Sequence, residues 1–360
     1  MTLRIGFIGC GWIAGAHSRS LKALIAGGVV DAQVVAASDP HLERAQAFAG
    51  AHGADIASTD PADVLAAVDV VWICTPTGTH RGLVEAAAAA GVAIYCEKPL
   101  APTIDDVTAM AAAVERAGVA NQVGLVLRAE ASFLELHRLL HDGTGQLGAP
   151  MTAILRDDQF FPIQGQYVTS GGGVWRADVA QAGGGALLEH SIHDLDALAW
   201  LLGPIVEVAC RTANFAGHVG IEDVATATLV HDNGVTSTLV SVWHDVLSRP
   251  STRRLEVFCQ KALLWVDRED TGPVHVETND GTHALAADTA GGWIAELPLP
   301  DDWRQGLAPY AVADRAFLEA LAAGRPGWPG FDAAVAAHHV ADAAYRSAAS
   351  GGVPVPVALR

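Results

Sequence analysis

The sequence is short of the features that would tie it to disulfide scaffolds, polyanions or membranes. Cysteine is scarce and odd in number: Cys10, Cys74, Cys96, Cys210 and Cys259, with no C-x-x-C pair. That spacing disfavours a disulfide framework and a thiolate zinc site, and points to a reducing compartment. Positive charge is also scarce, with 22 Lys and Arg against 40 Asp and Glu and a formal charge of −18. Such a field repels a phosphate backbone or an anionic bilayer, so nucleic acid and lipid headgroups are excluded as partners. No apolar run is long enough to span a bilayer: the run at 86–96 is closed by Glu85 and Glu97 and carries Gly91. The start, Met1-Thr2-Leu3-Arg4, lacks signal-peptide architecture. These absences give a cytoplasmic address as the expectation. No internal repeat is visible, and no low-complexity linker beyond the glycine-rich 170–174.

What remains is a chain of 360 residues, 51% apolar and 17% charged. That length and composition suit two domains with substantial cores. The first third alternates apolar strands at 3–8, 33–38, 69–74, 92–96 and 119–125 with helices at 13–26, 42–51, near 62, 79–90 and 103–117. Asp60-Pro61 supplies an N-cap followed by Pro at N1, and Gly53, Gly91 and Gly118 supply stops. Strand–helix alternation of this kind predicts a parallel sheet with helices on both faces. After a helix near 130–141 the pattern turns β-rich, with strands at 151–156, 205–211, 224–230, 235–243, 254–259 and 262–266. Asp232-Asn233-Gly234 reads as a hairpin turn, with Gln260-Lys261 as another. Two helices, 310–323 and 333–349, close the chain. The predicted architecture is an N-terminal Rossmann domain, 1–124, followed by an α/β domain, 125–360, with a large, mostly antiparallel open sheet.

Gly9-Cys10-Gly11-Trp12-Ile13-Ala14 follows the first strand and opens the first helix, fitting G-x-G-x-x-[GA]. The first Gly permits a tight turn, the second lets backbone approach a pyrophosphate, and Ala14 keeps the helix close to the sheet. The helix N-terminus supplies a positive dipole end for the phosphates. Asp39 ends the second strand, where a carboxylate can accept both ribose hydroxyls and would repel a 2′-phosphate. It lies beyond the usual ~20-residue spacing, a surplus that fits a longer connection at 27–31. The cofactor expected is therefore NAD rather than NADP; the plainer reading makes Asp39 a strand-end turn residue. Thr75-Pro76-Thr77 and His80 follow the next strand of the sheet's core and can line the ribose and nicotinamide, or simply cap a helix.

Glu97-Lys98-Pro99 follows another strand, and a lysine beside an oxidised nicotinamide is a tunable proton partner. In the second half, Gly183-Gly184-Gly185-Ala186-Leu187-Leu188-Glu189-His190-Ser191-Ile192-His193-Asp194-Leu195-Asp196 sets a carboxylate four residues before an imidazole. On one helix these would share a face and could hydrogen-bond. A metal reading of Glu189, His190, His193 and Asp194 is disfavoured, since the spacing is not H-E-x-x-H and no cysteine pair helps. His193 can equally be read as a structural histidine capping a helix.

Taken in order, these motifs resemble the glucose–fructose oxidoreductase and inositol dehydrogenase (Gfo/Idh/MocA) family. The 183–196 segment is similar to that family's G-G-G-x-x-x-D-x-x-x-H-D-x-D stretch, and 220–224 and 345–351 also match in style. The resemblance implies a Rossmann domain binding a nicotinamide and an open-sheet domain that often forms the oligomer interface, so a homodimer or homotetramer is expected. It implies Lys98, His193 and Glu189 as the catalytic trio, Glu189 standing where many members carry Asp. His190, a second imidazole beside that carboxylate, is a further departure. The implied activity is hydride transfer between NAD and a carbinol or carbonyl carbon of a sugar, sugar derivative or cyclitol. His193 would take the hydroxyl proton while Lys98 bonds the same oxygen. Gly9, Gly11, Trp12, Ile13, Ala14, Asp39, Thr75, Pro76, Thr77, His80, Glu97 and Lys98 are the expected cofactor residues. Arg128, Asp157, Tyr167, Trp175, Arg176 and His190 are the expected substrate residues, those at 157–176 being read as loop positions. Two rival readings are a tightly held cofactor recycled in place, serving sugar–sugar exchange or redox-assisted glycoside cleavage, and a non-catalytic NAD-responsive binder.

Overall fold

The computed structural model describes residues 2–142, 144–163, 174–245, 251–267, 272–285, 298 and 301–358, the side chains of 144 and 301–306 excepted. In chain order the elements are β1 (Leu3–Ile8), α1 (Trp12–Ala26), β2 (Ala32–Ser38), α2 (Leu42–His52), β3 (Ile56–Ser58), α3 (Pro61–Leu65), β4 (Val70–Ile73), α4 (His80–Ala89), β5 (Ala93–Cys96), α5 (Ile104–Ala117) and β6 (Asn121–Val123). Then come α6 (Ala131–Asp142), α7 (Thr144–Leu147), β7 (Pro150–Phe160), α8 (Val179–Ala182), α9 (Ala186–Glu189), α10 (Ile192–Leu202), β8 (Ile205–Ala213), β9 (Val224–His231), β10 (Thr236–His244), β11 (Thr252–Cys259), β12 (Leu263–Val266), β13 (Val274–Thr278), β14 (Gly281–Leu285), α11 (Asp301–Ala322), α12 (Phe331–Ala349) and β15 (Val355–Pro356).

The first sheet has the order β3-β2-β1-β4-β5-β6, and its recorded pairings are all parallel. Strand order reverses between β1 and β4, the place where open α/β sheets take ligands at the carboxyl ends of strands. Side chains alternate across it. Phe7, Trp72 and Tyr95 pack on one face with Leu21 and Leu24 of α1 and Phe317 of α11. Ile8, Ile73 and Ile94 pack on the other with Val84 of α4 and Met110 of α5. Both faces are apolar, as a parallel sheet covered twice requires. The predicted caps are present: Asp60 accepts the Ala62 N–H at 2.9 Å, and Gly118 takes the left-handed conformation at φ +63°.

The second sheet has the order β14-β13-β12-β11-β7-β10-β9-β8-β15, parallel only between β7 and β10. One face buries Leu155, Leu239, Leu229 and Val257 against Phe133 and Leu136 of α6, Leu195 and Leu198 of α10 and Val340 of α12. Both predicted hairpin turns are found, at Asp232-Asn233-Gly234 and Gln260-Lys261. One expectation is corrected: Asp157 and Asp158 lie inside β7, which runs four residues past its predicted end, and not in a loop. By compactness the chain divides into Met1–Val126 with Gly292–Val335, and Leu127–Gly291 with Ala336–Arg360, so α11 returns to the first unit.

In the second unit, the glycines at 183–185 admit close backbone approach. Gly183 ends α8 at φ +82°. A Cβ on Gly185 would collide with the carbonyl oxygen of Glu222. Gly185→Ala is therefore expected to destabilise the fold by more than about 2 kcal/mol, because the obstacle is backbone and cannot swing aside. Urea unfolding of mutant and parent measures this; equal midpoints would show that the approach is not tight.

Candidate active site

In the first unit the glycine turn is built by three backbone constraints. Gly9 sits at φ +86°, and a Cβ there would come within 2.7 Å of the Cys74 carbonyl oxygen, so the turn closes against the end of β4. The Gly9 N–H donates to the Ser38 carbonyl at 2.8 Å. Asp39, buried at the end of β2, accepts the Cys10 N–H at 3.1 Å and the His41 N–H at 2.9 Å. Gly11 is the N-cap of α1 with no side-chain cap, and the first turn holds no acidic residue. A Cβ on Gly11 would meet nothing within 4 Å. An N-terminus left with unsatisfied N–H groups beside open space suits a diphosphate. Ala14 is fully buried against the sheet, Ile13 is partly buried, and Trp12 is 63% exposed. The residues present therefore fit a dinucleotide, with Asp39 retaining acceptor capacity beyond its two bonds.

Across the strand reversal, Thr79 Oγ1 donates within a turn whose acceptors are Thr75 Oγ1 and the Pro76 carbonyl, each 2.8 Å away. Thr77 is buried. His80 is buried too, its Nε2 2.9 Å from the Thr75 carbonyl and its Nδ1 3.0 Å from that of Pro99. Burial lowers its pKa although the carbonyls pull the other way. Its place is that of a staple between the turns after β4 and β5.

Glu97 ends the next strand, and its carboxylate points inward. Oε1 lies 3.0 Å from Nε2 of His17, and Oε2 accepts the Lys98 N–H at 3.3 Å. His17 Nδ1 lies 2.7 Å from Oδ1 of Asp314, which also accepts the Trp72 indole N–H at 3.1 Å. Burial alone would favour the neutral imidazole. Asp314 and Glu97 outweigh it and raise His17 to about 10. Sequence reading missed this cluster, since 297 residues separate His17 from Asp314.

In the second unit, the 183–196 segment does not form the single helix expected from its spacing. α9 ends at Glu189 and α10 starts at Ile192, so the i, i+4 premise for Glu189 and His193 is corrected. The start of α9 is held from a distance. Glu222 accepts the Gly185 N–H at 2.8 Å and the Leu187 N–H at 2.9 Å, and Tyr345 donates to it at 3.0 Å. Burial raises the Glu222 pKa against those bonds. Glu189 is buried and accepts from Arg176 Nε at 2.6 Å, with His190 Nδ1 3.4 Å from its other oxygen. The Arg176 guanidinium lies 4.3 Å from the Trp175 ring centre. The Trp243 indole donates to His190 Nδ1 at 2.6 Å. An indole has no lone pair to offer, so that bond exists only when His190 carries its proton on Nε2.

His193 stands in the first turn of α10, 8% exposed. Its neighbours along the helix are held by arginines. Arg128 makes a two-pronged bond to Asp196, at 2.8 and 2.7 Å. Arg253 Nε lies 2.5 Å from Asp194. Asp157 is fully buried and takes Gln159 at 2.7 Å and Ser191 Oγ at 3.1 Å. Burial and the adjacent Asp157 push Asp194 upward despite Arg253. Arg128 and Asp157 thus lie in supporting positions around α10. Tyr167 lies outside the described residues. No cluster able to hold a metal ion occurs among the described residues, and no described helix is long and apolar enough to cross a membrane.

The chain is similar to known proteins in sequence and in fold. Residues 3–125 match the GFO_IDH_MocA family model, described as an oxidoreductase family with an NAD-binding Rossmann fold. Residues 133–265 match the GFO/IDH/MocA C-terminal domain. The chain is 28% identical to inositol 2-dehydrogenase of Rhizobium meliloti (strain 1021), over 97% of this chain and 98% of that one. It is 32% identical to D-apiose dehydrogenase of Paraburkholderia graminis, over 78% of this chain and 67% of that one. The fold is shared with levoglucosan dehydrogenase in complex with NADH, at a TM-score of 0.88 and 22% identity over the full length of both chains.

The His17 cluster gives a signed pH dependence. A histidine raised from 6.5 to about 10 on folding contributes stability that is fully present below 6.5 and is lost as pH rises through 10. The melting midpoint should fall between neutral pH and 10, with a slope of at most ~1.4 kcal/mol per pH unit for one proton. His17→Gln should flatten that fall. Thermal melts across this range decide it, and a parent midpoint that rises toward pH 10 contradicts the assignment.

Proposed function

The chain belongs to the GFO/IDH/MocA oxidoreductase family, and from that premise we propose a dehydrogenase that exchanges a hydride between NAD and a carbinol or carbonyl carbon of a sugar, sugar derivative or cyclitol. The observation that carries this reading is the glycine turn at the reversal of strand order, uncapped at α1 and flanked by Asp39. The inositol and apiose dehydrogenases named among the relatives support polyhydroxy substrates.

The residues have distinct tasks. Backbone N–H groups at the start of α1 hold the pyrophosphate, and Asp39 accepts the adenosine ribose hydroxyls. The bound nicotinamide supplies the hydride acceptor, or the donor in the reverse direction. His193 is assigned the proton of the reacting hydroxyl, and Lys98 a hydrogen bond donated to the substrate. Glu189, held by Arg176, places negative charge in the segment that bears the imidazoles. His190, whose ring is oriented by Trp243, and Trp175 take part in binding the substrate hydroxyls. Arg128 and Asp157 serve by holding the segment that bears His193. A homodimer or homotetramer with a cytoplasmic address completes the reading; Met151 and Ile154 are exposed on β7 of the open sheet.

Two substitutions test it, after a screen of sugars and cyclitols read by NADH absorbance has found a substrate. Lys98→Ala should lower kcat by roughly 10²-fold or more while the NAD dissociation constant stays within a few-fold, since a proton partner acts in the transition state. Undiminished turnover removes Lys98 from the mechanism. Asp39→Ala should raise the KM for NAD and narrow the preference over NADP, by loss of the ribose acceptor and of the charge that opposes a 2′-phosphate. Unaltered cofactor kinetics would take Asp39 out of the site.

A further inference from the structure

His17, Glu97 and Asp314 lie on three elements of the first unit that are remote in sequence, yet they form one continuous line. Asp314 comes from α11, His17 from the middle of α1, and Glu97 from the end of β5. Each imidazole nitrogen faces a carboxylate oxygen, at 2.7 Å on one side and 3.0 Å on the other. A neutral ring has one donor and could satisfy only one of them; an imidazolium donates to both. The surroundings admit no water-like screening. His17 and Asp314 are 0% exposed, and Tyr95 and Tyr310 meet the imidazole edge-on at 4.8 and 5.1 Å. Cys74, Tyr95 and Cys96, titratable groups of the sheet beside the cluster, are driven well above their usual ranges, chiefly by burial, and stay neutral. A buried charge is tolerated only when it is paired and hydrogen-bonded, so both carboxylates need the ring.

The far end of the line reaches Lys98. The second oxygen of Glu97 accepts the Lys98 backbone N–H. A Cβ on Gly124 would stand 2.5 Å from Glu97 Oε1, so β6 leaves room for the carboxylate only because a glycine follows it. Glu97 is thereby fixed from two sides, by the ring and by the turn it holds.

We propose that Asp314, His17 and Glu97 form a positioning relay in which a buried imidazolium locks the Glu97 carboxylate and, through it, the backbone that presents Lys98. This rests on the assignment of Lys98 as the ammonium that bonds the reacting oxygen. None of the three touches substrate in this scheme. Each acts through the conformation of one turn. Weakening any member should lower kcat with little effect on substrate KM, because Lys98 then samples positions from which the transition state is poorly met.

The lysine content gives a readout that needs no substrate. The chain has only Lys22, Lys98 and Lys261. Isotope-labelled lysine side chains therefore give three signals, and Lys98→Arg identifies the Lys98 one. In His17→Gln and in Asp314→Asn the Lys98 signal should move or broaden while that of Lys261 stays in place. With a polyol found by the screen, kcat should fall roughly tenfold or more, and the NADH dissociation constant should change less than roughly threefold. A Lys98 signal unmoved in folded His17→Gln overturns the relay, as does a loss of NADH affinity parallel to the loss of kcat. Should both variants fail to fold, isotope-labelled histidine in the parent decides. Two protonated ring nitrogens on His17 at about pH 8 support the relay, and a neutral ring there overturns it. Should the parent turn over no polyol, the dehydrogenase reading fails, while the lysine and histidine spectra still judge the relay.

Discussion

A buried carboxylate accepting the backbone N–H groups of a glycine-rich turn is the interaction on which both units rest. In the first unit Asp39 accepts the N–H of Cys10, the residue between the two glycines. In the second, Glu222 accepts the N–H groups of Gly185 and Leu187 and so does for α9 what a side-chain cap would do, from 37 residues away. Glycine lets the main chain come close enough for these bonds, and the bonds then remove the freedom that glycine brings. A charge-assisted bond of this kind is stronger than a neutral one, and losing the acceptor would leave buried N–H groups unsatisfied. Turn conformation is in this way fixed by a distant residue, which separates flexibility in sequence from flexibility in structure.

The legible part of the fold was the part written in local chemistry. Strand–helix alternation, Asp60-Pro61, the C-terminal glycines and the Asp232-Asn233-Gly234 turn each act over a few residues, and the elements they mark are present to within a few positions. Short strands were missed: β3 has three residues, β15 has two, β13 alternates over only Val274 and Val276, and β14 has little apolar alternation to read. The glycine turn, Asp39 and Glu97-Lys98-Pro99 could be read as candidate site residues because strand ends in a parallel sheet mark a ligand position. The partners were not. The bonds from Arg128 to Asp196, Arg176 to Glu189 and His17 to Asp314 depend on tertiary placement over 68, 13 and 297 residues. The spacing of Glu189 and His193 misled because periodicity assumes an unbroken helix, whereas α9 ends at Glu189 and α10 starts at Ile192.

Those partners explain why an acidic chain can keep so many carboxylates inside. Asp194 and Asp196 are 0% and 2% exposed and stand on either side of Leu195 in α10. One meets Arg253 and the other Arg128. Removing Arg128 would leave the buried charge of Asp196 uncompensated, and removing Arg253 that of Asp157, which is far more damaging than losing a surface pair. The helix that carries His193 is thus pinned at the next residue and three residues on. The acidic residues around His193 that could be mistaken for chemistry are committed to holding it, and the imidazole is left with a defined position on a rigid element.

The cofactor meets the same excess of negative charge. With a net charge of −18, the chain as a whole disfavours a diphosphate, so affinity must come from local dipoles that outweigh the general field. The start of α1 provides them: it lacks an acidic residue in its first turn and a side chain competing for its N–H groups. Asp39 is the nearby exception, and two backbone N–H bonds already draw on its charge. Those bonds leave its remaining lone pairs suited to neutral hydroxyls. A 2′-phosphate brought to the same place would meet a carboxylate and find, in Pro40, His41 and Leu42, no arginine or lysine to offset it. On the proposed reading, selection for NAD rests with the residue that also shapes the turn.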